Sequence, residues 1–324
     1  MNNLSDSRVL VTGGAGFIGS YVVAELLKED VKEVIIYDNL TRGKLSNLKD
    51  SLKDDRCHLF VNGGDIRDID LLNDAMKGVD YVFHLAAMWL LHCKDYPRTA
   101  FHVNIEGTFN VLEACVKNNV KKLVYSSSAS VYGDAVEIPM TENHPFNNRN
   151  FYGATKIAGE AMCRAFNDRY NLNYIGLRYM NVYGPNQDQN AVYTGVIPIM
   201  LNKIDASEPP VINGDGSQAY DFIYVEDVAH FNLLTMKSDI RDEFYNVGTG
   251  IQTSIKDLCD LILELKQSEL KVTYTPYSED DARRLVKNRI SSNEKAKNDL
   301  GFEPNYTLKN GLLELIKWRD NNKE

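Results

Sequence analysis

The chain has 324 residues, 44% of them hydrophobic and 25% charged, with a formal net charge of −9. That balance suits a soluble globular protein, either one extended α/β domain or a large domain carrying a smaller lobe, and no apolar run is long enough to span a bilayer. The negative charge argues against binding of nucleic acid or an anionic membrane, and the five scattered cysteines, Cys57, Cys93, Cys115, Cys163 and Cys259, argue against a disulfide framework or a zinc site, so no metal is expected.

In chain order, "MNNLSDSRVL" lacks a basic segment followed by an apolar one, so a cytoplasmic location is expected. The first strand falls in "RVLVTG", apolar almost throughout, as when helices cover both faces of a sheet. "FIGSYVVAELLKE" then reads as a helix, its apolar residues returning every three or four positions. Strands are expected in "EVIIYD", "HLFVNG", "DYVFHLAA", "KKLVYSSS" and "NYIGLRYMN", and helices in "AFHVNIEGTFNVLEACVKNN" and "YGATKIAGEAMCRAFNDRY". The alternation predicts a parallel, doubly wound sheet over residues 1–180. Beyond it the rhythm changes to loop-rich "NVYGPNQDQNAVYTG" and a turn in "NGDGSQAYDF", so residues 181–324 are expected to form mainly a smaller lobe. Parts of about 222–250, "DFIYVEDVAHFNLLTMKS" and "EFYNVGTG", are expected to pack back onto the first domain.

The turn after the first strand carries Gly14-Ala15-Gly16-Phe17-Ile18-Gly19, a GxGxxG match, and Gly13, Gly16 and Gly19 give a GxxGxxG spacing. Strand, glycines and helix are followed by Asp38 at the end of the next strand, the order needed to cradle a dinucleotide. Small residues let the backbone approach a pyrophosphate at the positive helix end, while Asp38 can accept from the adenosine ribose hydroxyls. Because a carboxylate repels a ribose 2′-phosphate, Asp38 favours NAD over NADP, with Arg42 and Lys44 pulling the other way.

"FYGATK" puts Tyr152 and Lys156 on one face of a helix. Ser128, in "YSSSASVYGD", stands at the C-terminal end of a strand, where open α/β sheets place their chemistry. Together they suggest oxidation of an alcohol, with Tyr152 as base, Ser128 holding the substrate oxygen and NAD taking the hydride. A tyrosine of ordinary pKa near ~10 must be stabilised as its anion by roughly 4 kcal/mol to act near neutrality, and Lys156 with the cationic nicotinamide can supply that field.

These motifs, with "DNL", "GDIRD", "FHLAA", "RYMNVYGP" and "GDGSQAYDFIYVEDV", resemble the extended short-chain dehydrogenase/reductase family in its nucleotide-sugar epimerase/dehydratase branch, over nearly the whole chain. The resemblance implies a Rossmann domain binding NAD and a C-terminal lobe binding a nucleoside-diphosphate sugar. It implies that Phe17, Ile18 and Asn39 belong to the cofactor site, that Asp65 and Ile66 flank the adenine, that Ala86 and Ala87 line the diphosphate side, and that Asn104 supports the site. It places Ser128, Tyr152 and Lys156 at the catalytic positions and Asn181 at the substrate diphosphate. It further implies a homodimer built through a four-helix bundle from "AFHVNIEGTFNVLEACV" and "YGATKIAGEAMCRAF" of each subunit.

Within that branch, 4,6-dehydratases resemble one another in an Asp-Glu pair after the serine, decarboxylating enzymes in a Glu and 3,5-epimerases in a Cys. Here those positions are Ala129 and Ser130, which leaves reversible oxidation at C4, as in the 4-epimerases. Two departures stand out. Tyr220 replaces the Arg that usually clamps the diphosphate, with Arg283 and Arg284 near the region of a second phosphate-binding arginine. And Met88, Trp89, Leu90, Leu91 and His92 replace smaller or polar residues in a loop that should approach the sugar, so Met88 and Trp89 are candidate substrate contacts, Leu90 and Leu91 packing residues. Two further readings stay open: a net 4-oxidoreductase that exchanges its cofactor, and a dinucleotide-binding protein without chemistry.

Overall fold

The computed structural model describes residues 3–188, 195–277 and 286–322. Strands alternate with helices along its first part, beginning with β1 (Arg8–Thr12), α1 (Phe17–Leu26), β2 (Glu33–Tyr37), β3 (Cys57–Leu59), α2 (Ile69–Ala75) and β4 (Tyr81–His84). The short α3 (Leu90–Asp95) and α4 (Pro97–Ala100) lead through a π-helical turn (Phe101–Glu106) into α5 (Gly107–Lys117), followed by β5 (Lys122–Ser128), α6 (Phe151–Tyr170) and β6 (Tyr174–Tyr179).

Later come β7 (Asn181–Tyr183), α7 (Val196–Asp205), β8 (Val211–Asn213), β9 (Ala219–Tyr220), β10 (Phe222–Tyr224) and α8 (Val225–Lys237). Then follow β11 (Glu243–Val247), β12 (Thr253–Ser254), α9 (Ile255–Leu265), β13 (Thr273–Thr275) and β14 (Asn288–Arg289), and the chain closes with helices Glu294–Leu300 and Leu308–Asn321.

The main sheet has seven strands in the order β11-β6-β5-β4-β1-β2-β3, every pair parallel. From β1 the chain first winds outward through β2 and β3, then crosses back to β4, so a crevice opens beside the strand ends at that reversal. β11 takes the edge place beside β6, and α8 packs on α1, which fastens this late segment to the large sheet.

Alternation along the strands divides the core into two layers. Val9 and Val11 of β1 join α1 and α8 on one face, while Leu10 and Ile35 join Leu72, Val111 and Cys163 of α2, α5 and α6 on the other. A third cluster, including Met200, Leu258, Ile262 and Leu312, forms the core of the small lobe. The five cysteines are all buried and free. Among the described residues no helix is long and apolar enough to cross a membrane.

Candidate active site

A cleft of about 1760 Å³ runs past the C-terminal ends of β1, β2, β4 and β5. At its floor the first turn can close only with glycine at two places. Gly13 has φ +72°, and a Cβ there would lie 2.7 Å from the Ala86 nitrogen; a Cβ on Gly19 would meet the Gly13 carbonyl at 2.1 Å. The strand and α1 therefore approach closely, and the start of α1 has neither a side-chain cap nor an acidic residue in its first turn. Its N–H groups and the positive helix end face the cleft, a setting suited to a pyrophosphate.

Gly13, Gly16, Phe17, Ile18 and Gly19 line this cleft with Asp38, Asn39, Asp65, Ile66, Ala86 and Ala87. Asp38 is fixed by two backbone donors, Ala15 N–H at 3.0 Å and Leu40 N–H at 2.8 Å, and burial raises its pKa against their pull. Asp65 is held low by its ion pair with Arg67 at 2.6 Å. Both cations beside Asp38 turn elsewhere: Arg42 lies 4.3 Å over the Trp89 ring and 3.8 Å from Asp188, and Lys44 lies 3.9 Å from the same carboxylate. Neither is thus reserved for a ribose phosphate, and the residues present fit NAD.

Asn104 stands behind the cleft wall in the π-helical turn, a kind of irregularity that recurs where a helix carries function. Its Oδ1 accepts from Met88 N–H at 2.6 Å, and its Nδ2 donates to the Met88 carbonyl at 2.8 Å and the Thr155 hydroxyl at 3.1 Å. One amide thereby pins the loop after β4 to α6.

The cap of α6 sets the candidate catalytic pair. Asn150 accepts from Gly153 N–H at 2.8 Å and starts the helix two residues before Tyr152; such a cap contributes about 1 kcal/mol. Lys156, one turn on, donates to the Ser126 carbonyl at 2.6 Å and lies 5.7 Å from the Tyr152 ring centre. Ser128 closes β5, and its Oγ accepts from Ser130 N–H at 3.1 Å. Burial lifts the Tyr152 pKa to about 12 against the hydrogen bond from Ser128 and the charge of Arg289. Burial also pulls Lys156 down to about 8. His84, between the Thr12 and Thr108 hydroxyls at 2.8 and 3.0 Å, is pushed down to about 3 by burial and by Lys156, and is neutral.

Sequence reading did not find what underlies this face. Glu160, one turn beyond Lys156, receives Arg178 through both carboxylate oxygens at 2.9 and 2.8 Å and the Ser127 hydroxyl at 2.6 Å. Arg178 also donates to the Tyr132 hydroxyl and the Glu142 carbonyl, both at 2.7 Å. The i+4 spacing from Lys156 was the available signal for Glu160; nothing local in the sequence points to Arg178.

The substrate candidates are spread more widely. Met88 and Trp89 line the cleft, Met88 through backbone held by Asn104 and Trp89 beneath Arg42. Asn181 donates to the Asp221 carbonyl through both N–H and Nδ2, at 3.0 and 3.1 Å. The Asp221 carboxylate in turn accepts from Thr249, Gly250 and Ser291. Tyr220 donates its hydroxyl to the Val286 carbonyl at 2.8 Å. Arg283 and Arg284 lie outside the described residues. Arg289, unnoticed in the sequence, pairs with Tyr220 in register across β9 and β14.

Residues 9–248 match the model of the NAD dependent epimerase/dehydratase family. A UDP-glucose 4-epimerase of Halalkalibacterium halodurans is 33% identical over 94% of this chain and 93% of its own length. Among solved structures, a UDP-N-acetylglucosamine 4-epimerase from Methanobrevibacter ruminantium, in complex with UDP-N-acetylmuramic acid, is 35% identical with a TM-score of 0.91, covering 98% of this chain and 99% of that one. A dTDP-glucose 4,6-dehydratase from Streptomyces venezuelae, with NAD bound, is 27% identical with a TM-score of 0.90, covering 98% of both chains.

Proposed function

The chain belongs to the NAD-dependent epimerase/dehydratase family, and from that premise we propose that it is a nucleotide-sugar 4-epimerase acting by transient oxidation at C4. Backbone similarity does not separate the branches, since an epimerase and a dehydratase match almost equally well. The residues after Ser128 carry the reading. Ala129 and Ser130 are buried, at 1% and 4% exposure, in a single 3-10 turn, and neither can serve as the added acid or base that elimination of water requires.

NAD held by the glycine turn and Asp38 would supply the hydride acceptor and a positive charge that favours the phenolate. Tyr152 takes the proton from the C4 hydroxyl and later gives it back. Ser128 holds the C4 oxygen at the end of β5, and Lys156, fastened to Ser126, fixes α6 against that strand while its charge favours the phenolate. With NAD held there, the pair of Tyr152 and Lys156 would serve a reversible oxidation at C4 in which Tyr152 keeps the proton until it is needed again. The substrate is a nucleoside-diphosphate sugar held in the small lobe.

The oligomer consistent with this reading is a homodimer joined through α5, the π-helical turn before it, and α6, where Phe101, Phe109, Phe151 and Tyr170 expose large apolar surfaces. The activity is tested by proton NMR of the protein with UDP-, GDP-, CDP- and dTDP-sugars, without added NAD. Appearance of a C4 epimer is the expected result. Stoichiometric NADH with added NAD and no epimer would instead assign a net 4-oxidoreductase.

A further inference from the structure

The β9–β14 ladder sets two unlike residues side by side. Parallel pairing puts Arg289 opposite Tyr220 and Asn288 opposite Ala219, so the Arg289 and Tyr220 side chains leave the ladder on the same side. Tyr220 is committed: its hydroxyl is fastened to the Val286 carbonyl on the chain that leads into β14. Arg289 is not. Its Nε is closed off from solvent and has no hydrogen-bond partner, and among the described residues its guanidinium makes no ion pair.

Asp134, a carboxylate whose charge acts on Arg289, instead receives the backbone N–H groups of Lys287 and Asn288 at 2.7 and 3.2 Å. The positive charge nevertheless acts on the Tyr220 and Tyr152 hydroxyls as well as on Asp134. A half-buried guanidinium whose closed-off Nε has no partner carries a desolvation cost that an anion arriving beside it removes. Its flat fork of donors matches phosphate or carboxylate oxygens.

We propose that Arg289 is the cation that binds an oxyanion of the nucleotide sugar, taking over from β14 the charge that β9 lacks at Tyr220. The inference rests on the nucleotide-sugar reading above. The oxyanion is either the diphosphate or a carboxylate on the sugar, and the two give different results.

The experiment is calorimetric titration of wild type, Arg289→Gln and Arg289→Lys with UDP, dTDP, GDP, CDP and ADP and their monophosphates. It continues with the preferred diphosphate carrying glucose or glucuronate, with NAD affinity measured in parallel. Loss of a charged hydrogen bond predicts that Arg289→Gln binds the preferred diphosphate about 10- to 100-fold more weakly, with NAD affinity unchanged and part of the loss recovered in Arg289→Lys. A loss confined to the glucuronate derivative assigns the sugar carboxylate instead. Equal diphosphate and glucuronate binding by wild type and Arg289→Gln overturns the assignment and leaves the epimerase reading standing. A loss that Arg289→Lys does not recover marks a structural effect and overturns it too. Failure of the wild type to bind any nucleotide of the panel removes the nucleotide-sugar reading, and this inference with it.

Discussion

Replacing Lys156 by Met should abolish turnover and yet stabilise the protein. Wild-type Lys156 is 4% exposed, and burial lowers its pKa from the ordinary 10.5 to about 8. At about 1.4 kcal/mol for each pH unit between those values, the protonated side chain costs the folded state about 3 kcal/mol. Because the folded pKa is the lower one, the unfolded chain binds more protons between about pH 8 and 10.5. The penalty is therefore complete below that window, shrinks as pH rises through it and vanishes above. Methionine keeps the unbranched stem without the charge. Losing the hydrogen bond to Ser126 takes back about 1 kcal/mol, for a net gain of about 2 kcal/mol near neutrality. With 324 residues unfolding at about 2.1 cal/mol/K each, the melting midpoint should rise by about 3 °C. Calorimetry of cofactor-stripped protein near neutral pH and again above the window reads both parts. A variant that melts below wild type near neutrality, or a gap of the same size at both values, would refute the reasoning.

Three other outcomes are expected. Tyr152→Phe should lower turnover by about 10²- to 10⁴-fold, the usual contribution of a positioned general base, while leaving NAD affinity, read by fluorescence, unchanged. Glu160→Gln should destabilise by about 3–5 kcal/mol, because it strands the Arg178 charge in a site where both side chains are at most 2% exposed; chemical denaturation should show most of that loss restored when Arg178→Met is combined with Glu160→Leu. Asp38→Ala should weaken NAD about tenfold or more, since it removes a ribose acceptor and frees the Ala15 and Leu40 amides; an unchanged dissociation constant would remove Asp38 from the site.

The large sheet was legible because its strands are mostly apolar runs that end at turn signals. Lys122, at the start of β5, departs from that pattern. It is buried and donates to the Thr235 and Ser238 carbonyls at the end of α8, contacts between residues more than a hundred positions apart. The glycine turn, Asp38 and the Ser128, Tyr152, Lys156 set were readable for a similar reason, since each motif lies within one strand–turn–helix unit. What sequence could not supply was pairing at long range. Arg289 matters through its register with Tyr220, and Arg178 through a carboxylate on another element. The small lobe's strands, two or three residues each, are too short to carry a period and are set by partners such as Asp221.

The Arg42 bridge bears on how long a cofactor stays. Arg42 follows β2, Trp89 follows β4 and Asp188 follows β7, so a single guanidinium links three segments at the mouth of the cleft. Parting the lobes there means withdrawing a cation from an aromatic face and a carboxylate at once, roughly 1–2 kcal/mol for a half-exposed group. An epimerase hands its hydride back in every cycle, so a latch over the dinucleotide costs it nothing in turnover. A dehydrogenase, which must release spent cofactor after each reaction, would be slowed by the same latch. The bridge therefore makes release rather than chemistry the salt-sensitive event: added salt should shorten cofactor residence while leaving the interconversion of bound sugars nearly as fast.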